Sequence, residues 1–267
     1  MMREASATQR FSESTPLEQG SGRVEWSPSH VRLLRATATS REYSNAQIGD
    51  NDRAGRWHPP LILSVRARFS HPIDRLRGTA GFGFWNAAIA PNLSRLRPPQ
   101  TVWFFFGGAP HDMPLARGVP GNGFKAAVLD TQRLAFFALL PTAPLGFLLM
   151  RIPAVYERLW PIAQRAIGAE ERSLNDLDLT AFHTYSIDWR PTTVRFAVDG
   201  CDVLTTSTAP RGPLGFCMWI DNSYAVVTPT GRFAYGLSTE PAPQWLDVEA
   251  IEIRSQTTGK VRRAILR

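Results

Sequence analysis

A chain of 267 residues has room for one large domain or two small ones, and 43% apolar residues with 28 aromatic rings exclude a mainly disordered polypeptide. Twenty-one prolines and twenty glycines, spread along almost the whole length, exclude a bundle of long helices, because they cut a chain into short strands and turns. The +7 formal charge is local: residues 254–267 hold Arg254, Lys260, Arg262, Arg263 and Arg267 and no acid, which leaves only +2 for the remaining 253 residues. A nearly neutral body predicts no nucleic-acid partner, and the basic tail reads as a solvated terminus.

The first 25 residues are rich in Ser, Thr, Glu and Gln and lack the apolar stretch of a signal peptide, so they read as a disordered leader. From Leu61 the text reads as strands. Leu61 to Phe69 alternates, with Leu63, Val65, Ala67 and Phe69 on one face and Arg66 and Arg68 on the other, which predicts one wet face. Gly81 to Trp85 and Thr101 to Phe106 have no polar face and read as strands covered on both sides. Phe124 to Leu129, Phe182 to Trp189, Thr193 to Val198, Cys201 to Leu204, Leu214 to Ile220 and Leu246 to Ile253 complete the set, with Asp199 and Gly200 as a tight hairpin turn. Many short strands between turn signals predict an all-β sandwich over residues 26–253.

One stretch breaks the β pattern. Leu134 to Met150 is an apolar run of 17 residues, too short and too rich in proline (Pro141, Pro144) for a membrane-spanning helix. In Pro153 to Gly168, Val155, Leu159, Ala163, Ala166 and Ile167 recur at helical spacing. Residues 131–175 therefore form a helical apolar insertion. It either caps the sandwich as core, the plainer reading, or forms a lid or a membrane-surface patch through 134–168.

Cys201 and Cys217 supply neither a CxxC pair nor a zinc-ligand pattern, which points to a reducing compartment, the cytoplasm. No Gly-rich phosphate loop, Gly-x-Ser-x-Gly elbow, HExxH or Asp-rich calcium loop occurs, so neither a cofactor nor a metal is expected. His111 and Asp112, in a loop bounded by Pro110 and Pro114, are either a dyad or a loop cap.

Phe182-His183-Thr184-Tyr185-Ser186-Ile187-Asp188-Trp189, followed by Val194-Arg195-Phe196-Ala197-Val198-Asp199-Gly200, resembles a hairpin of the laminarinase-like family sixteen glycoside hydrolases. Leu63 to Phe69 and Gly81-Phe82-Gly83-Phe84-Trp85 resemble that family's strands at the cleft. The resemblance runs discontinuously from about Leu61 to Ile253 and implies a concanavalin A-like jelly roll of two curved antiparallel sheets with a ligand groove on the concave face. It also implies retaining hydrolysis, in which two carboxyl groups about 5 to 5.5 Å apart flank the scissile bond. Here the corresponding strand places Thr101, Trp103 and Phe105 or Phe106 where the acids would stand, so the family's chemistry is not expected.

If the strands pair as in that fold, Trp85, Trp103, Phe105, Trp219 and Tyr224 are candidates for the groove, with His183, Asn86, Asp221 and Asn222 as nearby polar groups. Asp221 among aromatic rings could serve as a general acid, and His183 as a proton carrier; the plainer reading is a turn for Asp221 and packing for His183. Rings in place of acids favour an apolar or amphipathic ligand, lipid- or isoprenoid-like, that is either only bound or also transformed by acid and cation chemistry of the cyclase or isomerase kind. The alternative is a carbohydrate-binding module, or a hydrolase with relocated carboxylates, whose partner is a glycan.

Overall fold

The computed structural model describes residues 8–10, 16–50, 57–86, 98–255 and 261–265. In chain order the strands are β1 (Thr8–Arg10), β2 (Leu17–Gln19), β3 (Gly22–Trp26), β4 (Val31–Arg35), β5 (Asn45–Gly49), β6 (Leu61–Phe69), β7 (Thr79–Trp85), β8 (Gln100–Gly107) and β9 (Gly123–Asp130). Three helices follow: α1 (Leu134–Leu139), α2 (Ala143–Leu149), joined to it by a 3₁₀ turn at Leu140–Thr142, and α3 (Pro153–Ile167). Then come β10 (Ala169–Ser173), β11 (His183–Trp189), β12 (Val194–Val198), β13 (Cys201–Thr206), β14 (Gly215–Asp221), β15 (Ser223–Val227), β16 (Phe233–Leu237), β17 (Gln244–Ser255) and β18 (Val261–Ile265).

The strands form a jelly-roll sandwich. One sheet runs β1-β18-β17-β6-β11-β12-β13, with β4 also pairing β17 and carrying β3; the other runs β10-β9-β8-β7-β14-β5-β2; β15 and β16 form a separate hairpin. Period-two alternation sends one face of each strand into a common core. Leu61, Leu63, Val65, Ala67 and Phe69 of β6 meet Phe82 and Phe84 of β7 and Phe104 and Phe106 of β8 there, all nearly inaccessible. Tyr185 of β11 bridges the sheets, its ring 5.1 Å from both Phe82 and Phe104. The turn from β12 to β13 needs two left-handed residues, and Asp199 (φ 50°) and Gly200 (φ 82°) supply them.

The leader read over residues 1–25 differs in its second half: β2 pairs β5, and β3 pairs β4. The basic tail contains β18, antiparallel to β17 and parallel to β1. The insertion is helical, but the expectation that it packs as core is corrected: α1 and α2 bury no residue, and α3 buries only Trp160 and Ala166. The prolines break the run into pieces too short to wrap an apolar stripe around the sandwich. No helix among the described residues is long and apolar enough to cross a membrane.

Candidate functional site

The outer face of the β8 sheet is fixed by register. Directly opposed residues of antiparallel strands share a face, so Trp103 shares one with Gly83 of β7, Cys217 of β14, Ala127 of β9 and Glu171 of β10. Phe105 lies in the next row with Gly81, Trp219 and Lys125. Trp85 and Thr101 lie in the row on the other side. Phe104 and Phe106 point the opposite way into the core, so Phe105, and not Phe106, belongs to this face.

Four of the expected residues converge into one aromatic surface. Trp103 sits 6.3 Å from Trp85, 5.3 Å from Phe105 in a stacked arrangement and 5.3 Å from Trp219, measured between ring centroids. Trp85, Trp103 and Phe105 are half-buried, and Trp219 is buried with its indole N–H donating to Thr79 Oγ1 at 3.0 Å. The partly exposed rings of Trp85, Trp103 and Phe105 form an apolar platform that the buried Trp219 backs.

One flank of this surface is walled by the loop after β8. His111 packs its ring 5.2 Å from Phe105, and its Nδ1 accepts from the backbone N–H of Ala225 at 3.3 Å. Burial, with the charge of Lys125 as a second cause, lowers the His111 pKa to about 4. Beneath the loop, Lys125 Nζ lies 3.4 Å from Glu171 Oε1 and donates to Met113 O, while Glu171 Oε2 accepts from the N–H groups of Leu115 and Ala116. Burial pushes the Glu171 carboxyl up and the Lys125 amine down, and each charge opposes the shift of its partner. The sequence reading missed this pair. Its only signal was a lone lysine inside the apolar strand Gly123–Asp130.

The expected polar groups do not gather here. Asp221 lies on the right face but is locked: Oδ1 accepts from the N–H and hydroxyl of Thr79 and the N–H of Ser223, and Oδ2 from the Tyr43 hydroxyl at 3.0 Å. Burial raises its pKa against these hydrogen bonds. Asn222, wholly buried, clamps backbone: its amide donates to Thr39 O and Glu42 O and its oxygen accepts from Ser44 N–H. Asn86 likewise ties Pro98 O and the N–H of Gln100. Tyr224 is on the β15–β16 hairpin, its phenol lying across Gly236. The placement of His183 near the groove is corrected: β11 belongs to the other sheet, and its ring is held between Asp199 Oδ2 at 2.6 Å and Asp178 O at 2.9 Å. His111 and Asp112 form no dyad, since Asp112 faces Arg232 at 3.6 Å while His111 faces Phe105.

The two buried carboxylates of this face stand apart. Glu171 is on β10 in the Trp103 row, whereas Asp221 is four strands away on β14 in the Thr79 row. At about 4.8 Å between strands and about 3.4 Å per residue along them, that is on the order of 20 Å.

The model for glycosyl hydrolases family 16 matches residues 163–224, which span the end of α3 through β14 and include both the His183–Gly200 hairpin and Asp221. No curated protein matches the chain. Among solved structures, a family 16 endo-glucanase from Bacteroides ovatus aligns at 11% identity and TM-score 0.47, over 90% of this chain and 94% of that one. An endo-acting O-glycanase from a member of the human gut microbiota aligns at 12% identity and TM-score 0.48, over 88% and 83%, and the Crh5 transglycosylase at 14% and 0.46, over 90% and 78%. The chain is a concanavalin A-like jelly roll that resembles the family sixteen glycoside hydrolases, with the carbohydrate-binding or hydrolase type of fold. The family match favours the glycan reading over the apolar, isoprenoid-like ligand that the ring-rich strand suggested, and that expectation finds no support.

Proposed function

We propose that the outer face of the β8 sheet binds a neutral glycan by stacking sugar rings on Trp85, Trp103 and Phe105, with the buried Trp219 backing them, and does not cut it by the two-carboxylate mechanism. The observation that carries this reading is the contiguous four-ring surface centred on Trp103. Pyranose rings present C–H faces that sit on indole and phenyl planes, and their hydroxyls reach to polar groups alongside. Gln47, half-buried, shares this face by register, whereas Asn45 and Thr101 on the same face are buried. Neutrality follows from charge: among the described residues the cation that register places on this face, Lys125, is already paired with Glu171 and is not open to a uronate or sulfate.

Retaining hydrolysis needs carboxyl groups about 5 to 5.5 Å apart and inversion about 6.5 to 9.5 Å, both far shorter than the separation of Glu171 and Asp221. Both acids are also saturated with protein hydrogen bonds. Calorimetric titration with neutral β-glucan oligosaccharides, run beside a reducing-end assay, tests the proposal. Saturable binding without new reducing ends is expected; release of reducing ends would overturn the non-hydrolytic half, and no heat with any neutral oligosaccharide would overturn the whole.

A further inference from the structure

The apolar surface of this protein is concentrated in one place. Eleven of the thirteen exposed large apolar side chains among the described residues belong to the helical insertion or to the β15–β16 hairpin. Leu134 is 90% exposed, Leu145 59%, Leu148 58% and Phe233 61%. The two elements abut: Phe147 of α2 meets Phe233 of β16 edge-on at 5.3 Å, and Arg151 Nε donates to Thr230 O at 3.3 Å. Helices of six and seven residues without a buried side chain are marginal in water, so α1 and α2 call for an apolar phase over them.

Charge decides what that phase is. Across 131–168 and 223–237 the sequence holds Arg133, Arg151, Arg158, Arg165 and Arg232 and one acid, Glu157, which is paired with Arg117; Arg133 pairs with Asp130 and Arg232 with Asp112. Arg151, Arg158 and Arg165 make no ion pair among the described residues. A second copy docked face to face would set arginine against arginine, a repulsive arrangement. An anionic lipid surface complements both properties, taking the leucines and phenylalanines into its acyl boundary and the guanidinium groups at its headgroups. Arg133 and Arg151 bracket the 17-residue apolar run, as expected of a segment that lies in an interface without crossing it. We propose that the insertion and the β15–β16 hairpin together form a peripheral docking surface for anionic membranes. This goes beyond the glycan reading and is independent of it.

Vesicle co-sedimentation of the full chain tests the proposal, with phosphatidylcholine alone and with phosphatidylcholine mixed with phosphatidylglycerol. Binding to the anionic vesicles is expected to be at least about tenfold tighter, since each basic residue near such a surface adds favourable energy. The Leu145→Asp/Leu148→Asp double variant alters only exposed side chains and is expected to lose vesicle binding while keeping the wild-type unfolding temperature. Arg158→Glu/Arg165→Glu is expected to abolish the preference for the anionic lipid. Equal binding to both vesicle types, no binding to either, or a lipid-free dimer dissolved by the Leu145→Asp/Leu148→Asp variant would each overturn the proposal.

Discussion

Trp103 and Trp219 belong to strands that are not neighbours, yet their rings lie 5.3 Å apart, because β7 between them carries glycine at the two intervening outer positions, Gly81 and Gly83. A Cβ at Gly83 would lie 2.6 Å from Trp103 Cβ and 2.4 Å from Val102 O, and one at Gly81 would meet Trp219 at 3.2 Å. Gly83→Ala is therefore expected to cost about 1–3 kcal/mol by overpacking and to spread the indoles. Urea unfolding together with near-ultraviolet circular dichroism checks this; an unchanged midpoint and unchanged tryptophan bands would show that the glycines do not set the ring spacing.

Lys125 and Glu171 hold the loop that walls the aromatic face. Lys125→Met strands a buried carboxylate and is expected to destabilise by about 3–5 kcal/mol at neutral pH. Because burial raises the Glu171 pKa, the loss should shrink as the pH falls and Glu171 takes up a proton. The Lys125→Met/Glu171→Gln double variant should regain part of the stability. A penalty that stays constant as the pH is lowered from neutral toward the ordinary glutamate range would contradict this account.

His111 gives the fold a second pH dependence of known sign. A histidine whose pKa falls from an unfolded value of 6.5 to about 4 stabilises fully above 6.5 and loses that contribution as the pH falls toward 4. From linkage, about 2 kcal/mol is gone by pH 5. His111→Gln removes the group, so the difference between wild type and variant isolates it from the carboxylates. Chemical denaturation across this range is expected to show that difference narrowing on acidification; a constant difference would mean that the folded and unfolded histidines titrate alike.

Asp221 is a structural acceptor in this account. Asp221→Asn turns one of its oxygens into a donor facing the Thr79, Ser223 and Tyr43 groups that donate to it, and is expected to cost about 1–3 kcal/mol. Oligosaccharide affinity should change by less than about threefold, well under 1 kcal/mol. Retained stability with a lost chemical activity would instead make Asp221 an acid of the kind first considered from the sequence.

What the sequence disclosed followed physical rules that act locally. Leu61–Phe69 was legible because alternation is strict over nine residues, and the β12–β13 turn because Asp199-Gly200 satisfies a demand for left-handed backbone. Trp85, Trp103, Phe105 and Trp219 were legible as candidates because each stands on a strand, but which of them share a face needed the register, and Tyr224 falls on a separate hairpin. Ala169–Ser173 was missed: AEERS carries no apolar alternation and is a strand only because β9 supplies its partner. The Lys125–Glu171 pair was missed for a related reason, since 46 residues and the whole insertion separate its members. His183 was misplaced because a motif identifies a hairpin but not which sheet receives it. The packing of the insertion was misjudged because composition reports apolarity, not whether a surface lies within reach to cover it.

The most direct test of the central claim is a tryptophan-fluorescence titration of the wild-type protein and Trp103→Ala with a neutral oligosaccharide and, separately, with a long-chain isoprenoid. The account predicts a saturable response of the wild type to the oligosaccharide alone, weakened at least about tenfold in Trp103→Ala, as expected for the loss of a central stacking residue. A saturable response to the isoprenoid with none to the sugar, or oligosaccharide binding unaffected by Trp103→Ala, would contradict it.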